Sequence, residues 1–141
     1  MQIGVDSSMA VENKRVFVID GDEIRRAVLQ FMLQDENETH EFADVEHAYH
    51  KALHWKPDAI LLAMDLVQVH GPAVIEEIRA RVMGVTIGVV CDSATDPLAR
   101  SCLQLGAQSL LAKPLTIESV RRKVNLLLGR RSSLPIPLYV A

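Results

Sequence analysis

The 141-residue sequence contains no apolar run approaching the roughly 20 residues that a membrane-spanning helix needs. It also begins without a basic segment followed by an apolar one, the pattern of a secretory signal peptide. We therefore expect a cytoplasmic protein. With 49% hydrophobic and 23% charged residues, the composition predicts one globular domain with a single well-buried core.

Basic stripes and paired cysteines are also lacking. The net charge is -3, and no stretch is dense enough in lysine and arginine to indicate direct binding to nucleic acid. A locally basic stretch near the C-terminal end is interpreted as a solvated helix face. Cys91 and Cys102 lie in apolar patterns, which favours buried free thiols over a disulfide.

A glycine-rich phosphate loop is missing after the first predicted strand. That strand is followed by Asp20, Gly21 and Asp22, whose carboxylates would repel a phosphate unless a metal ion intervened. The sequence thus speaks against a nucleotide-binding enzyme. No internal repeat and no low-complexity tract is present.

Apolar periodicity predicts five strands that alternate with five helices. The strands are predicted at 16–19, 39–42, 59–63, 85–91 and 109–112, and residues 64–70 are predicted to form a loop. Carboxylates of Asp22 and Glu23 suit the first turn of the first helix. Asp44, Asp96 and Thr116 are predicted N-caps of the second, fourth and fifth helices.

This alternation implies right-handed crossovers and a parallel sheet that is covered on both faces. The predicted fold class is α/β, a flavodoxin-like doubly wound (βα)5 three-layer sandwich with a five-stranded parallel sheet. We expect the domain to span residues 15–129, after a flexible lead-in at 1–14. Residues 130–141 contain Pro135 and Pro137 and are predicted to be a tail, either a linker or a docking arm.

The order of the elements, together with several short motifs, resembles the receiver domain of two-component response regulators over about residues 15–129. The motifs are Val18-Ile19-Asp20, the run from Pro57 to Leu62, Gly71, Gly106-Ala107 and Lys113-Pro114. The resemblance implies that a histidine kinase donates a phosphoryl group to an aspartate at the end of the third strand. It also implies two adjacent acidic residues after the first strand, Thr or Ser ending the fourth, and Lys-Pro ending the fifth.

The chain departs from this pattern at most of the reactive positions. Transfer needs a carboxylate nucleophile, Mg²⁺ held by oxygen ligands and a lysine that pairs with the product. Asp20 and Lys113 are retained. Four positions are replaced: Gly21 for the second acidic residue, Ala63 for the phosphoacceptor, Cys91 for the hydroxyl residue and Leu110 for an aromatic switch residue.

Two carboxylates offer alternatives at the altered site. Asp22 is either a helix cap or a partial substitute for the lost metal ligand. Asp65 is a candidate phosphoacceptor, but it lies two residues beyond Ala63, which on an extended chain is a displacement of roughly 6 Å. We therefore expect it not to replace the nucleophile.

Lys113 has two interpretations, contact with phosphate or a structural ion pair with Asp20, and we expect the ion pair. Pro114 follows it, often as a cis residue in this family, and would fix the loop. Cys91 is either a core residue or a redox-sensitive thiol activated by Lys113.

Histidines form a possible metal cluster. His47, His50 and His54 fall on one side of the second helix, with His40 before it, and such spacing can bind zinc when further ligands converge. An exposed polar face is the alternative that we expect. His70, beside Gly71 at the mouth of the site, is expected to face solvent.

Three hypotheses follow. The first is a pseudo-receiver, an interaction module without enzymatic activity or cofactor, whose partners are a histidine kinase, an output domain or a second copy bound through the fourth helix, fifth strand and fifth helix. The second is an active phosphorelay receiver that uses Asp65 or Asp22 with Mg²⁺. The third is a small flavodoxin-like enzyme.

Overall fold

A computed structural model describes residues 13–130, in which five parallel strands alternate with helices. The strands are β1 (Arg15–Ile19), β2 (Glu38–Phe42), β3 (Ala59–Ala63), β4 (Thr86–Cys91) and β5 (Ser109–Ala112). The helices are α1 (Glu23–Leu33), α2 (Val45–Ala52), α3 (Met64–His70), α4 (Val74–Arg81), α5 (Pro97–Gln104) and α6 (Ile117–Leu127).

The sheet has the order β2-β1-β3-β4-β5, and every neighbouring pair is parallel. Alternate side chains of a strand point to opposite faces, so one strand contributes to two cores. Phe17 and Ile19 of β1 pack with helices α2 to α5, whereas Val16 and Val18 pack with α1 and α6. The predicted doubly wound sandwich is confirmed.

Four of the six helices described begin at a side chain that accepts hydrogen bonds from backbone amides. Asp44 accepts from the N–H of His47, and Asp96 accepts from that of Leu98. Thr116 and Ser119 exchange side-chain and backbone hydrogen bonds at the start of α6. These predicted N-caps are confirmed, and each satisfies backbone donors that have no partner inside the helix.

The prediction of a loop at 64–70 is wrong. Residues Met64–His70 form helix α3 directly after β3, and Gly71 ends it with a φ of 85°. Burial explains the difference: Met64, Leu66 and Val67 are all buried in the core that also contains α2 and α4. A seven-residue helix is too short to show a clear period in the sequence, but its apolar side chains still find a core to fill.

The predicted lead-in and tail fall outside the described residues, apart from 13, 14 and 130, so the domain boundaries stay predictions. Within the described range, the helices all fall short of the length and apolar character needed to cross a membrane.

Gly88 lies in the middle of β4, where three leucine side chains leave no room for a larger residue. A Cβ atom at this position would lie 2.9 Å from Cδ1 of Leu127, 3.0 Å from Cδ1 of Leu111 and 3.2 Å from Cδ2 of Leu61. We expect Gly88→Ala to lower the free energy of unfolding by about 1 to 3 kcal/mol, because it overpacks a filled core. Urea denaturation measures this cost.

The control is the same substitution in a Leu111→Val background, which removes one of the clashing methyl groups. The cost of Gly88→Ala should be smaller there, since contacting residues are not additive. Equal costs in the two backgrounds, or a stabilising Gly88→Ala, would show that the leucines do not restrict this position.

Candidate functional site

Chemically relevant residues gather at one edge of the sheet. Asp20 follows β1, Ala63 ends β3, Cys91 ends β4 and Lys113 follows β5. Because the strands are parallel, their carboxyl ends meet at the same edge, where ligands bind in open α/β sheets. This edge is the candidate functional site.

The carboxylate of Asp20 is the buried polar centre of the site, with only 1% of its side chain exposed. Its Oδ2 accepts a hydrogen bond from Arg25 Nε at 2.5 Å, and its Oδ1 accepts one from Arg25 Nη2 at 2.7 Å. Oδ1 also accepts from the backbone N–H of Asp22 at 2.8 Å. Two parallel bonds between a guanidinium and a carboxylate form a strong charge-assisted pair. The hydrogen bond with Asp20 raises the pKa of Arg25.

The predicted ion pair between Lys113 and Asp20 is wrong. Lys113 Nζ lies 2.9 Å from Oδ1 of Asp92, on the exposed side of the site. This contact lowers the pKa of Asp92 through a side-chain hydrogen bond. Both oxygens of Asp20 accept hydrogen bonds from Arg25, and Lys113 pairs instead with Asp92, the acidic residue that follows β4. The Lys113–Pro114 peptide bond is cis.

Arg25 was not among the residues predicted for the site. It lies five residues after Asp20, in the first turn of α1, which places its side chain back over the end of β1. The signal for Arg25 in the sequence was a basic residue in the first turn of a helix that begins just after a buried acidic residue. The same local pattern is equally typical of an ordinary exposed helix residue, so the sequence alone does not identify Arg25 as part of the site.

Asp22 is the N-cap of α1. Its Oδ1 accepts hydrogen bonds from the backbone N–H groups of Ile24 at 2.9 Å and Arg25 at 3.0 Å. The bond from the Arg25 N–H is the main cause of its lowered pKa. The cap interpretation of Asp22 therefore holds, and its carboxylate also fixes the backbone that carries Arg25.

Asp65 lies in the site, although an extended chain would have carried it away from the position of Ala63. Its Oδ2 lies 3.4 Å from Arg25 Nη2, and 43% of its side chain is exposed. The chain turns into α3 straight after Ala63, so the second residue beyond the strand folds back instead of moving away. Oδ1 of Asp65 is buried and has no hydrogen-bond partner among the described residues.

A divalent cation does not fit these residues. Mg²⁺ binding would need carboxylate or carbonyl oxygens free to coordinate the ion. Both oxygens of Asp20 are taken by Arg25, and Gly21 supplies no side-chain oxygen. Between residues 13 and 130, no group of three or more His, Cys, Asp or Glu side chains is arranged to hold a metal ion.

The two predicted switch positions are apolar and inside the protein. Cys91 and Leu110 are both buried in the core formed with α2 to α5. Burial is the main cause of the raised pKa of the Cys91 thiol, and Asp96 and Asp92 raise it further. Burial and the raised pKa favour the interpretation of Cys91 as a core residue over that of a redox-sensitive thiol.

His47, His50 and His54 line one surface depression together with Phe42 and Trp55. His47 Nδ1 pairs with Asp44 at 2.9 Å, and His40 lies within β2, where its Nε2 is 2.7 Å from Oε2 of Glu38. His50, His54 and His70 are exposed. The described part of the chain thus offers no converging set of ligands for zinc.

The ion pair between Asp20 and Arg25 predicts a large and conditional effect on stability. Arg25→Gln should lower the free energy of unfolding by about 3 kcal/mol, because it leaves a buried carboxylate without its counter-charge. In an Asp20→Asn background the same replacement should cost less than about 1 kcal/mol, because no buried charge remains. Urea denaturation of the four proteins measures the cycle.

Arg26→Gln is the matched control. Arg26 bonds the backbone oxygen of Asp20 and pairs with Glu41, whose side chain is more than a third exposed. Its replacement should cost about 1 kcal/mol. A cost for Arg25→Gln that does not depend on residue 20 would contradict the assignment of this pair.

Comparisons with known proteins agree with the fold. The family model of the response regulator receiver domain matches residues 16–125. A two-component response regulator from Clostridium difficile is 26% identical, with a TM-score of 0.73 over 84% of this chain and 98% of that chain. No curated protein sequence matches.

Two further solved structures are similar. The receiver domain of a sensor histidine kinase from Pseudomonas aeruginosa, with a magnesium ion coordinated in its active site cleft, is 26% identical, with a TM-score of 0.71 over 83% of this chain and 98% of that chain. A response regulator from Thermotoga maritima is 16% identical, with a TM-score of 0.74 over 83% and 98%, and shows the fold alone. The family match covers most of the chain, which therefore belongs to the response regulator receiver domains of two-component signalling.

Proposed function

We propose that this receiver domain is a pseudo-receiver, a protein-interaction module of cytoplasmic two-component signalling that does not accept a phosphoryl group. It has no enzymatic activity and uses no cofactor. The observation that carries the proposal is Ala63, which ends β3 with a buried methyl group where the family's transfer chemistry needs a carboxylate.

The sensing positions support the same conclusion. An ordinary receiver shifts between two conformations when phosphorylation favours one of them. Cys91 cannot offer the hydroxyl that would contact a phosphoryl group, and Leu110 is a buried aliphatic residue in place of a movable aromatic one. The domain is therefore held near one conformation, and the signal is carried by binding.

Exposed apolar side chains support a protein partner. On α1, Ile24, Val28 and Phe31 are exposed at a spacing that places them on one helix face. On α6, Ile117 and Leu126 are also exposed. The proposed partners are a histidine kinase, an output domain, or a second copy bound through α5, β5 and α6.

A specific observation favours a second candidate function. The carboxylate of Asp65 reaches the acidic site and is partly exposed, so it could act as the phosphoacceptor of an active receiver with Mg²⁺. Its contact with Arg25 and the hydrogen bonds that occupy both oxygens of Asp20 count against this role. Labelling experiments separate the two functions.

Intact-mass spectrometry after incubation with acetyl phosphate and Mg²⁺ tests the proposed function. The wild-type protein should gain no phosphoryl mass, because the nucleophile is missing at position 63. A receiver domain with the full acidic set, incubated in parallel, controls for the phosphodonor.

Labelling of the wild-type protein would overturn the proposal. If that label disappeared in Asp65→Asn and persisted in Asp22→Asn, the second candidate function would replace it. The Ala63→Asp protein tests whether the nucleophile is the only part of the chemistry that is missing.

Sedimentation velocity tests the proposed homodimer. If α6 forms the interface, Leu126→Glu should weaken self-association by about tenfold or more, since about 1.4 kcal/mol of lost contact has that effect. Leu53→Glu is the control, because Leu53 at the end of α2 is 78% exposed, comparable to 65% for Leu126. A monomeric wild-type protein, or equal effects of both variants, would contradict this interface.

A further inference from the structure

We propose that the guanidinium of Arg25 is an internal cation that takes the place of a divalent metal ion in the acidic pocket and excludes that ion. This inference rests on the proposed function and deepens it, because it names what keeps the site in one state. The state of the domain then does not depend on Mg²⁺.

The first support is the fit of the guanidinium between two carboxylates. Arg25 bonds both oxygens of Asp20, and the same Nη2 lies 3.4 Å from Oδ2 of Asp65. It therefore bridges acidic residues that follow β1 and β3, which are adjacent strands of the sheet. A bound metal ion would neutralise and connect the same two elements in this way.

The second support is that the cation is tethered. The backbone N–H of Arg25 donates to the cap carboxylate of Asp22, so the residue is held at its backbone and at its guanidinium. Folding alone brings this charge to Asp20, without the loss of translational freedom that binding of a free ion entails. A metal ion would have to break two charge-assisted hydrogen bonds before it could bind.

The third support is that a carboxylate oxygen in the pocket accepts no hydrogen bond from the described residues. Oδ1 of Asp65 is buried without a partner in the described structure, and only 23% of the Arg25 side chain is exposed. A guanidinium directs its donors along fixed lines, so it cannot satisfy every oxygen around it. Removal of Arg25 would leave these oxygens free for a spherical ion.

Gly21 offers a way to test the exclusion. A Cβ atom at this position would lie 3.4 Å from Oδ2 of Asp65, which is ordinary van der Waals contact. The glycine does not have a positive φ, so an L side chain is accepted. Gly21→Asp combined with Arg25→Gln would place three carboxylates together, the ligand type that divalent cations prefer.

The experiment measures Mn²⁺ binding by the loss of the free-ion signal in electron paramagnetic resonance. The proteins are the wild type, Gly21→Asp, and Gly21→Asp with Arg25→Gln. We expect no saturable binding by the wild type. The double variant should bind Mn²⁺ at least about tenfold more tightly than Gly21→Asp alone, because only there is the internal cation gone.

Gly21→Asp with Arg26→Gln is the matched control, since it removes an equal charge from the next residue of α1. It should bind Mn²⁺ no better than Gly21→Asp alone. The inference is overturned if this control binds as tightly as the Arg25 double variant, if Gly21→Asp alone does so, or if the double variant fails to bind.

A second measurement uses the folded wild-type protein and does not depend on any variant. In its ¹H–¹⁵N spectrum, Mn²⁺ should not selectively broaden the amide signals of Asp20, Gly21 and Asp65. Selective broadening at low Mn²⁺ would show that the pocket admits the ion despite Arg25. Phosphoryl labelling tests the proposed function and Mn²⁺ binding tests this inference, so the two measurements distinguish which of them has failed.

Discussion

Burial of both faces of the parallel sheet is the constraint on which the rest of the structure depends. It requires near-continuous apolar runs in β1 and β3 and helices on each side to cover them. The helical connections make all the strands of the sheet parallel, so their carboxyl ends lie at the same edge. Residues far apart in the chain, such as Asp20 and Lys113, therefore lie at the same edge of the sheet.

The same burial removes the carboxylate of Asp20 from water. A carboxylate with no access to water needs hydrogen bonds and a counter-charge, and Arg25 supplies both from the adjacent helix. With Asp20 paired to Arg25, Lys113 contacts Asp92, and Asp65 lies close to the same guanidinium. The arrangement of the whole edge follows from how one buried charge is neutralised.

Most of the fold could be predicted from local patterns. The strand runs, the caps at Asp44, Asp96 and Thr116, and the alternation of elements each have a short-range cause. Helix α3 could not be predicted, because seven residues carry too little periodicity and its start lacks a side-chain cap. That single error also misplaced Asp65, since an extended chain and a helix carry the second residue in different directions.

By itself, the sequence determined the class of fold, the edge where the site lies and the absence of a carboxylate at position 63, because these depend on residue type and spacing. Only the tertiary structure decided which charges meet. Spacing along the chain predicted Lys113 as the partner of Asp20, whereas the direction of a side chain from helix α1 places Arg25 there. Ion pairing depends on distances of a few ångströms across elements, which spacing along the chain does not define.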